Sequence, residues 1–129
     1  MTKTRVDPGW TWDQPYHYSQ ALRVGDFLFI SGQAAIAPDG SIVGKDDFDT
    51  QARQAFANLQ AVLRCADAEL KHIVKVTILL TDISHFPRVV ELRKQYFSPP
   101  YPADTTLQVQ KLALPELMIE IEAVAWMGR

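Results

Sequence analysis

The stretch "MIEIEAVAW", Met118 to Trp126, constrains the fold most tightly because it gives one strand two incompatible faces. Side chains alternate across a strand with a period of two. Ile119, Ile121, Ala123 and Ala125 therefore share one face, small and apolar, suited to packing beneath helices. Met118, Glu120, Glu122, Val124 and Trp126 share the other. That second face is too apolar for free water and too polar for a sealed core. A subunit interface containing clefts satisfies both demands, so the pattern predicts a homo-oligomer.

The helices that would cover the first face are also legible. Phe48, Ala52, Phe56, Leu59, Val62 or Leu63, and Ala66 recur at three- and four-residue spacing, as one side of an amphipathic helix requires. Asp46, Asp47 and Asp49 stand at its start, where carboxylates cap free N–H groups and oppose the helix dipole. A second helix is expected after Ser84 as its cap, with Pro87 in the first turn and Phe86, Val89, Leu92 or Arg93, and Tyr96 on its apolar side. "YSQALRV" and "DFLFISGQ" read as a hairpin around Gly25-Asp26. "HIVKVTILLTD" reads as a strand with Val74, Val76, Ile78 and Leu80 on one face. Strands over Thr105–Leu112 and Met118–Met127 close the chain. The expected order is β-β-α-β-α-β-β, an α+β arrangement whose two helices cover one face of a sheet. Residues 1–16, with Pro8 and Pro15, are expected to form an irregular arm on a single domain spanning 1–129.

Composition removes several classes of function. With 47% hydrophobic and 22% charged residues, the chain is that of an ordinary globular domain. The net charge is −2 and the basic residues are scattered, which argues against a nucleic-acid groove. No apolar run approaches the ~20 residues of a membrane span, and the N-terminus has no apolar signal core; a cytoplasmic location is expected. Cys65 has no second cysteine to pair with and is expected to be a small buried apolar residue. His17, His72 and His85 show no metal-ligand spacing. His72 and His85 read as surface or helix-start residues.

Five fragments, "YSQALRVGDFLFISGQ", "QARQAFANLQAVL", "IVKVTILLTDISHF", "YPAD" and "IEIEAVA", occur in register from Tyr18 to Ala125. In this the chain resembles the reactive-intermediate deaminase family, the YjgF-type or endoribonuclease L-PSP family. The resemblance implies a chorismate-mutase-like α+β fold with a mixed sheet. It also implies a homotrimer with a central barrel, and small-molecule ligands held in clefts between subunits. It implies hydrolysis of imine or enamine metabolites without metal or organic cofactor. Carried over by position, Glu120 would position water and Tyr18 would line the cleft beside it. Ser31 and Gly32 would contribute backbone, and Phe86 an aromatic wall. Thr106 takes the place of a small residue that is often cysteine. His17, beside Tyr18, would be a ligand donor or proton shuttle.

One position departs from the pattern. Deaminating members carry an arginine after "P-A" that clamps the substrate carboxylate; this chain has Asp104. The helix-2 asparagine is replaced by Val90. A carboxylate at 104 would repel an anionic ligand by about 3 kcal/mol at roughly 5 Å and an effective dielectric near 20. Asp104 and Thr106 have the same strand parity, so both would point into the cleft near Glu120. There Asp104 would favour an amine or imine nitrogen, or share a proton with Glu120. Two structural alternatives stand beside that. Asp104 could cap its own turn through the N–H of Thr106, or pair across the trimer with Arg88, Arg93 or Lys94. The functional expectation is deamination of an imine or enamine other than 2-aminoacrylate. The alternative is a non-catalytic metabolite-binding trimer, and a ribonuclease reading rests on the family label alone.

Overall fold

The computed structural model describes residues 2–128. Its strands are β1 (Lys3–Val6), β2 (Ala21–Val24), β3 (Phe27–Ala34), β4 (Ile73–Leu80), β5 (Ala103–Gln108) and β6 (Ile119–Trp126), and its α-helices are α1 (Phe48–Cys65) and α2 (Phe86–Tyr96). They form one six-stranded mixed sheet in the order β1-β2-β3-β6-β4-β5. β4 and β5 run parallel around α2, and every other pairing is antiparallel.

The final strand has the two faces its sequence predicts. Ile119, Ile121, Ala123 and Ala125 are buried, whereas Glu122 and Trp126 are exposed and Glu120 is half-buried. The buried face joins Phe56, Leu59, Val62 and Leu63 of α1 and Val89 and Leu92 of α2 in one core. Each such large side chain stabilises the fold by about 1.5–3 kcal/mol. Phe56 stacks on Tyr96 at 3.9 Å between ring centroids, which ties the two helices together on the same side of the sheet. The opposite face leaves Phe27, Phe29 and Trp126 each more than 40% exposed. No helix among the described residues is long and apolar enough to cross a membrane.

Several expectations are corrected. Residues 3–6 of the arm are a strand, not irregular chain, because their backbone pairs with β2 along Lys3↔Val24 to Val6↔Ala21. Ile73 is buried and Val74 is 42% exposed, since a register shift between Ile73 and Lys75 turns one residue outward. Asp82, not Ser84, makes the cap ahead of α2: its carboxylate accepts from the Ser84 N–H at 2.9 Å. Asp47 caps α1 through Thr50, but Asp49 accepts from Arg88 of α2 at 2.8 Å. Cys65 is exposed. It lies about 200° around the helix from buried Leu63, at roughly 100° per residue, and so faces away from the core.

Two polar residues inside the helix face set the loops that frame the site. The Asn58 amide donates to the carbonyls of Ala34 and Ile36 at 2.9 and 2.8 Å. The Gln51 amide donates to Glu116 O at 2.8 Å and its oxygen accepts from Met118 N–H at 2.8 Å. Buried polar groups left unpaired would cost about 1–3 kcal/mol each. These two amides are satisfied by pinning the exit of β3 and the entry to β6.

Candidate functional site

Glu120 sits where β3 and β6 pair irregularly. Ala34 aligns with Glu120 and Ile30 with Ala123, and the register shifts between Ile30 and Gln33. Ser31 and Gly32 fall in that shift. A bulge of this kind re-aims residues that regular pairing would lock into the ladder. Gly32 is needed for a steric reason: a Cβ there would stand 2.6 Å from Glu120 Cδ and Oε2. The Glu120 carboxylate therefore lies directly over the glycine.

A cleft of about 440 Å³ opens around this pair. Tyr18, Ser31, Gly32 and Glu120 line it together, as do Trp12, Tyr16 and Leu114. A second, shallower depression on the same face is lined by Tyr18, Ser31 and Glu122, so Tyr18 and Ser31 form the ridge between the two carboxylates. Burial holds the Glu120 carboxyl above its ordinary pKa, and the Glu122 charge pushes it further the same way. The Tyr18 phenol is also raised, first by burial and then by the carboxylates of Asp13 and Glu120, against the opposing hydrogen bond from Gln20. Tyr18 thus keeps its proton across neutral pH, while Glu120 is a carboxylate that takes a proton more readily than an exposed one.

A buried chain of polar side chains supports Tyr18 from behind. Gln20 Nε2 donates to Asp13 Oδ2 at 2.8 Å and to Tyr18 Oη at 3.2 Å. Gln33 Nε2 donates to Gln20 Oε1 at 2.8 Å and to the Ser31 carbonyl at 3.1 Å. The Ser31 hydroxyl donates to Ser19 O at 2.6 Å. Asp13, Gln20 and Gln33 are each 2% exposed. Such a connected network fixes its members in one arrangement. Sequence reasoning missed it, and missed Trp12, Tyr16 and Leu114 as cleft walls. The signal was available: Gln20 and Gln33 end the "YSQ" and "SGQ" fragments, amides at the entry to β2 and within β3.

Asp104 and Thr106 lie elsewhere. β5 is not the neighbour of β6, because the parallel β4-α2-β5 unit places β5 at the sheet edge and β6 between β3 and β4. Asp104 and Thr106 align with buried Val76 and Ile78 of β4, on the helix side. Glu120 aligns with Leu79 on the open side. Within one chain, then, Asp104 does not meet Glu120. Its carboxylate receives Arg93 Nε at 3.0 Å and Arg93 Nη2 at 2.8 Å. Thr106 Oγ1 donates to Asp104 at 2.6 Å and accepts from Arg93 Nη2 at 2.8 Å. Neither a turn cap through the Thr106 N–H nor a bridge to another subunit is needed to satisfy Asp104. The charge argument against anionic ligands loses its basis at this position, because a guanidinium offsets the carboxylate. Phe86 belongs to this second cluster, with the Arg93 guanidinium carbon 5.3 Å from its ring centroid. His17 is exposed in a left-handed conformation (φ 58°) and does not line the cleft.

The comparisons agree with this architecture. Residues 12–127 match the family described as "Endoribonuclease L-PSP". A human 2-iminobutanoate/2-iminopropanoate deaminase is 40% identical over 112 residues, covering 86% of this chain and 80% of the relative. A RutC family protein of Aquifex aeolicus is 44% identical over 111 residues, covering 83% of this chain and 87% of the relative. Among solved structures, the Rid-family protein YyfA of Yersinia pestis superposes with a TM-score of 0.85 at 34% identity, covering 97% of this chain and 99% of that one. RidA of an Antarctic Psychrobacter superposes with a TM-score of 0.79 at 35% identity, covering 85% of this chain and 88% of that one. The α+β sheet with both helices on one face is the chorismate-mutase-like fold of these relatives. The chain belongs to the Rid/YjgF family, known also as the endoribonuclease L-PSP family.

Proposed function

We propose that the protein hydrolyses an imine or enamine metabolite to a carbonyl compound and ammonia in the Glu120 cleft. The observation that carries this reading is the half-buried Glu120 carboxylate lying over Gly32 beside the protonated Tyr18. In the proposed step Glu120 accepts a proton from water as the oxygen attacks the imine carbon. The C=N π pair moves to nitrogen, which takes up a proton. The resulting carbinolamine expels ammonia and leaves the C=O group. An enamine first becomes the imine by gaining a proton at carbon and losing one from nitrogen. The chemistry is balanced without a redox partner. The named activity of the human relative supports the reaction class.

We further propose a homotrimer assembled through the open sheet face, with the clefts at subunit boundaries. The exposed Phe27, Phe29 and Trp126 support burial of that face against another copy. In such an assembly the Arg93–Asp104 cluster of one subunit could approach the Glu120 cleft of the next, although they face opposite sides of the sheet in one chain.

One observation favours a second reading, a binding trimer without catalysis. Among the described residues no lysine, arginine or histidine lines the cleft, so one chain offers no cation to a substrate carboxylate there. Ammonia release from enzymatically generated imines, wild type against Glu120→Ala, separates the two readings. Activity lost in the variant supports hydrolysis. Inactivity of the wild type across the panel, with small molecules still bound, supports the binding trimer.

A further inference from the structure

We propose that Trp12, Tyr16 and Leu114 form a side-chain subsite of this cleft, and that the protein prefers imines bearing a branched aliphatic or aromatic substituent. This rests on the Glu120 cleft being the reaction site.

All three residues come from outside the sheet that carries Glu120. Trp12 and Tyr16 belong to the segment ahead of β2, and Leu114 to the connection between β5 and β6. They line the same cleft as Glu120. The segment bearing the two aromatics is anchored at several points. β1 pairs with β2, and Val6 and Trp10 are buried. Trp10 stacks on Trp12 at 6.3 Å with 22° between the rings. Gly40, at φ +90°, lets the turn approach so closely that a Cβ there would be 2.9 Å from Trp12 Cβ. Asp13, between the aromatics, is held by Gln20. The Trp12 part of the wall is therefore pre-organised, and a ligand need not order it on binding.

Chemistry and size then narrow the ligand. Glu120 is the charged group of the described lining, beside Gly32; Trp12, Tyr16 and Leu114 add indole, phenol and isobutyl surface to it. A carboxylate gains nothing from that wall, whereas an apolar substituent does. Tyr16 is 66% exposed and Leu114 is 38% exposed, so apolar surface is available to be covered. The cleft measures about 440 Å³. A four-carbon imino acid has seven heavy atoms; even at the ~30 Å³ of a liquid water apiece it would fill roughly half of that space. In one chain the remainder leaves room for a leucine- or phenylalanine-like side chain.

The test uses the full-length chain. Imines are generated in situ by an amino-acid oxidase from alanine, 2-aminobutyrate, leucine and phenylalanine, and their loss is followed by semicarbazide trapping. Hydrophobic pockets discriminate by about 10–200-fold per group, so kcat/KM is expected to be about ten-fold or more higher for the two large imines. Tyr16→Ala and Leu114→Ala should each lower the large-imine values about ten-fold more than the small-imine values, and Tyr16→Phe should retain the preference. Equal kcat/KM for all four imines, or equal losses for large and small ones, overturns the subsite. So does a change of sedimentation in Tyr16→Ala, which would make that ring a subunit contact. Calorimetry with pyruvate, 4-methyl-2-oxopentanoate and phenylpyruvate separates this inference from the catalytic reading. If no imine is hydrolysed, the deaminase reading falls, but Tyr16-dependent tighter binding of phenylpyruvate sustains the subsite. If hydrolysis proceeds and phenylpyruvate binds no tighter than pyruvate, the subsite falls alone.

Discussion

Arg93 on α2 and Asp104 on β5 form a two-pronged ion pair inside one chain, at 3.0 and 2.8 Å, with the Thr106 hydroxyl bonded to both. The side chains are 27% and 13% exposed, so the pair is partly shielded from water. Two parallel charge-assisted bonds make a strong and directional contact. Position 104 thus carries a carboxylate held by Arg93 on the helix side of the sheet.

The first prediction concerns that pair. Asp104→Ala should destabilise the fold by about 1–3 kcal/mol, because it leaves the guanidinium with the Thr106 hydroxyl alone. Asp104→Arg should be worse, since two guanidinium groups would then compete for one space. The exchanged double variant, Arg93→Asp with Asp104→Arg, should recover part of the loss. Urea unfolding of wild type, Arg93→Asp, Asp104→Arg and the double variant measures the coupling; strictly additive effects would show that the pair contributes nothing as a pair.

A second prediction follows from the contact between Gly32 and Glu120. Gly32→Ala places a methyl group 2.6 Å from the Glu120 carboxyl carbon. The obstructing atoms are the end of a side chain, which can swing aside, so the stability change should stay below about 1.5 kcal/mol. The displaced carboxylate should nevertheless lower imine hydrolysis by about 100-fold, as misplacement of a catalytic group by about 1 Å does. Thermal unfolding together with steady-state rates checks both halves. A variant that is unfolded, or one that is fully active, contradicts the stated geometry.

Much of this molecule was legible in the sequence, and what was not has physical causes. The two-faced strand at Ile119–Trp126 and the α1 face from Phe48 to Ala66 were readable because periodicity registers local burial directly. Strand order was less accessible. Asp104 and Glu120 lie on consecutive strands, but β6 inserts between β3 and β4, and no local pattern encodes that insertion. The sequence offers Arg93 as one of three cross-subunit partners of Asp104; that the two pair inside one chain depends on α2 and β5 meeting on the helix side. Asn58 and Gln51 were missed because a buried amide on an apolar helix face looks like a surface residue until its backbone acceptors are known.

The third prediction addresses the buried network. Gln20 is bonded to Asp13, Tyr18 and Gln33 at once. Gln20→Leu would leave the Asp13 carboxylate, 2% exposed, without its amide donor. A cost of about 2–4 kcal/mol is expected from the stranded carboxylate and from the Gln33 amide, left with the Ser31 carbonyl alone. The Gln20→Glu variant should be similarly poor, because it sets a second carboxylate against Asp13. Urea midpoints decide the matter, and a loss below about 0.5 kcal/mol in Gln20→Leu would contradict the network's structural role.

The last prediction concerns pH. Burial, then the charge of Glu122, raises the Glu120 pKa above its ordinary 4.5. A carboxyl that is harder to ionise in the fold than in the unfolded chain favours folding in its protonated form. That contribution is fully present below about 4.5 and is lost as pH rises through the raised folded value. Glu120→Gln should therefore be more stable than wild type at pH 8, and the gain should disappear near pH 4. Unfolding midpoints at the two pH values test this, and a gain that grows toward acid would reverse the sign. The same shift sets the acid limb of catalysis, since protonated Glu120 cannot accept a proton from water. Wild-type kcat/KM should fall with an apparent pKa above 4.5, and Glu122→Gln should move that limb to lower pH by removing the neighbouring charge. An acid limb unmoved by Glu122→Gln would place the titrating group elsewhere.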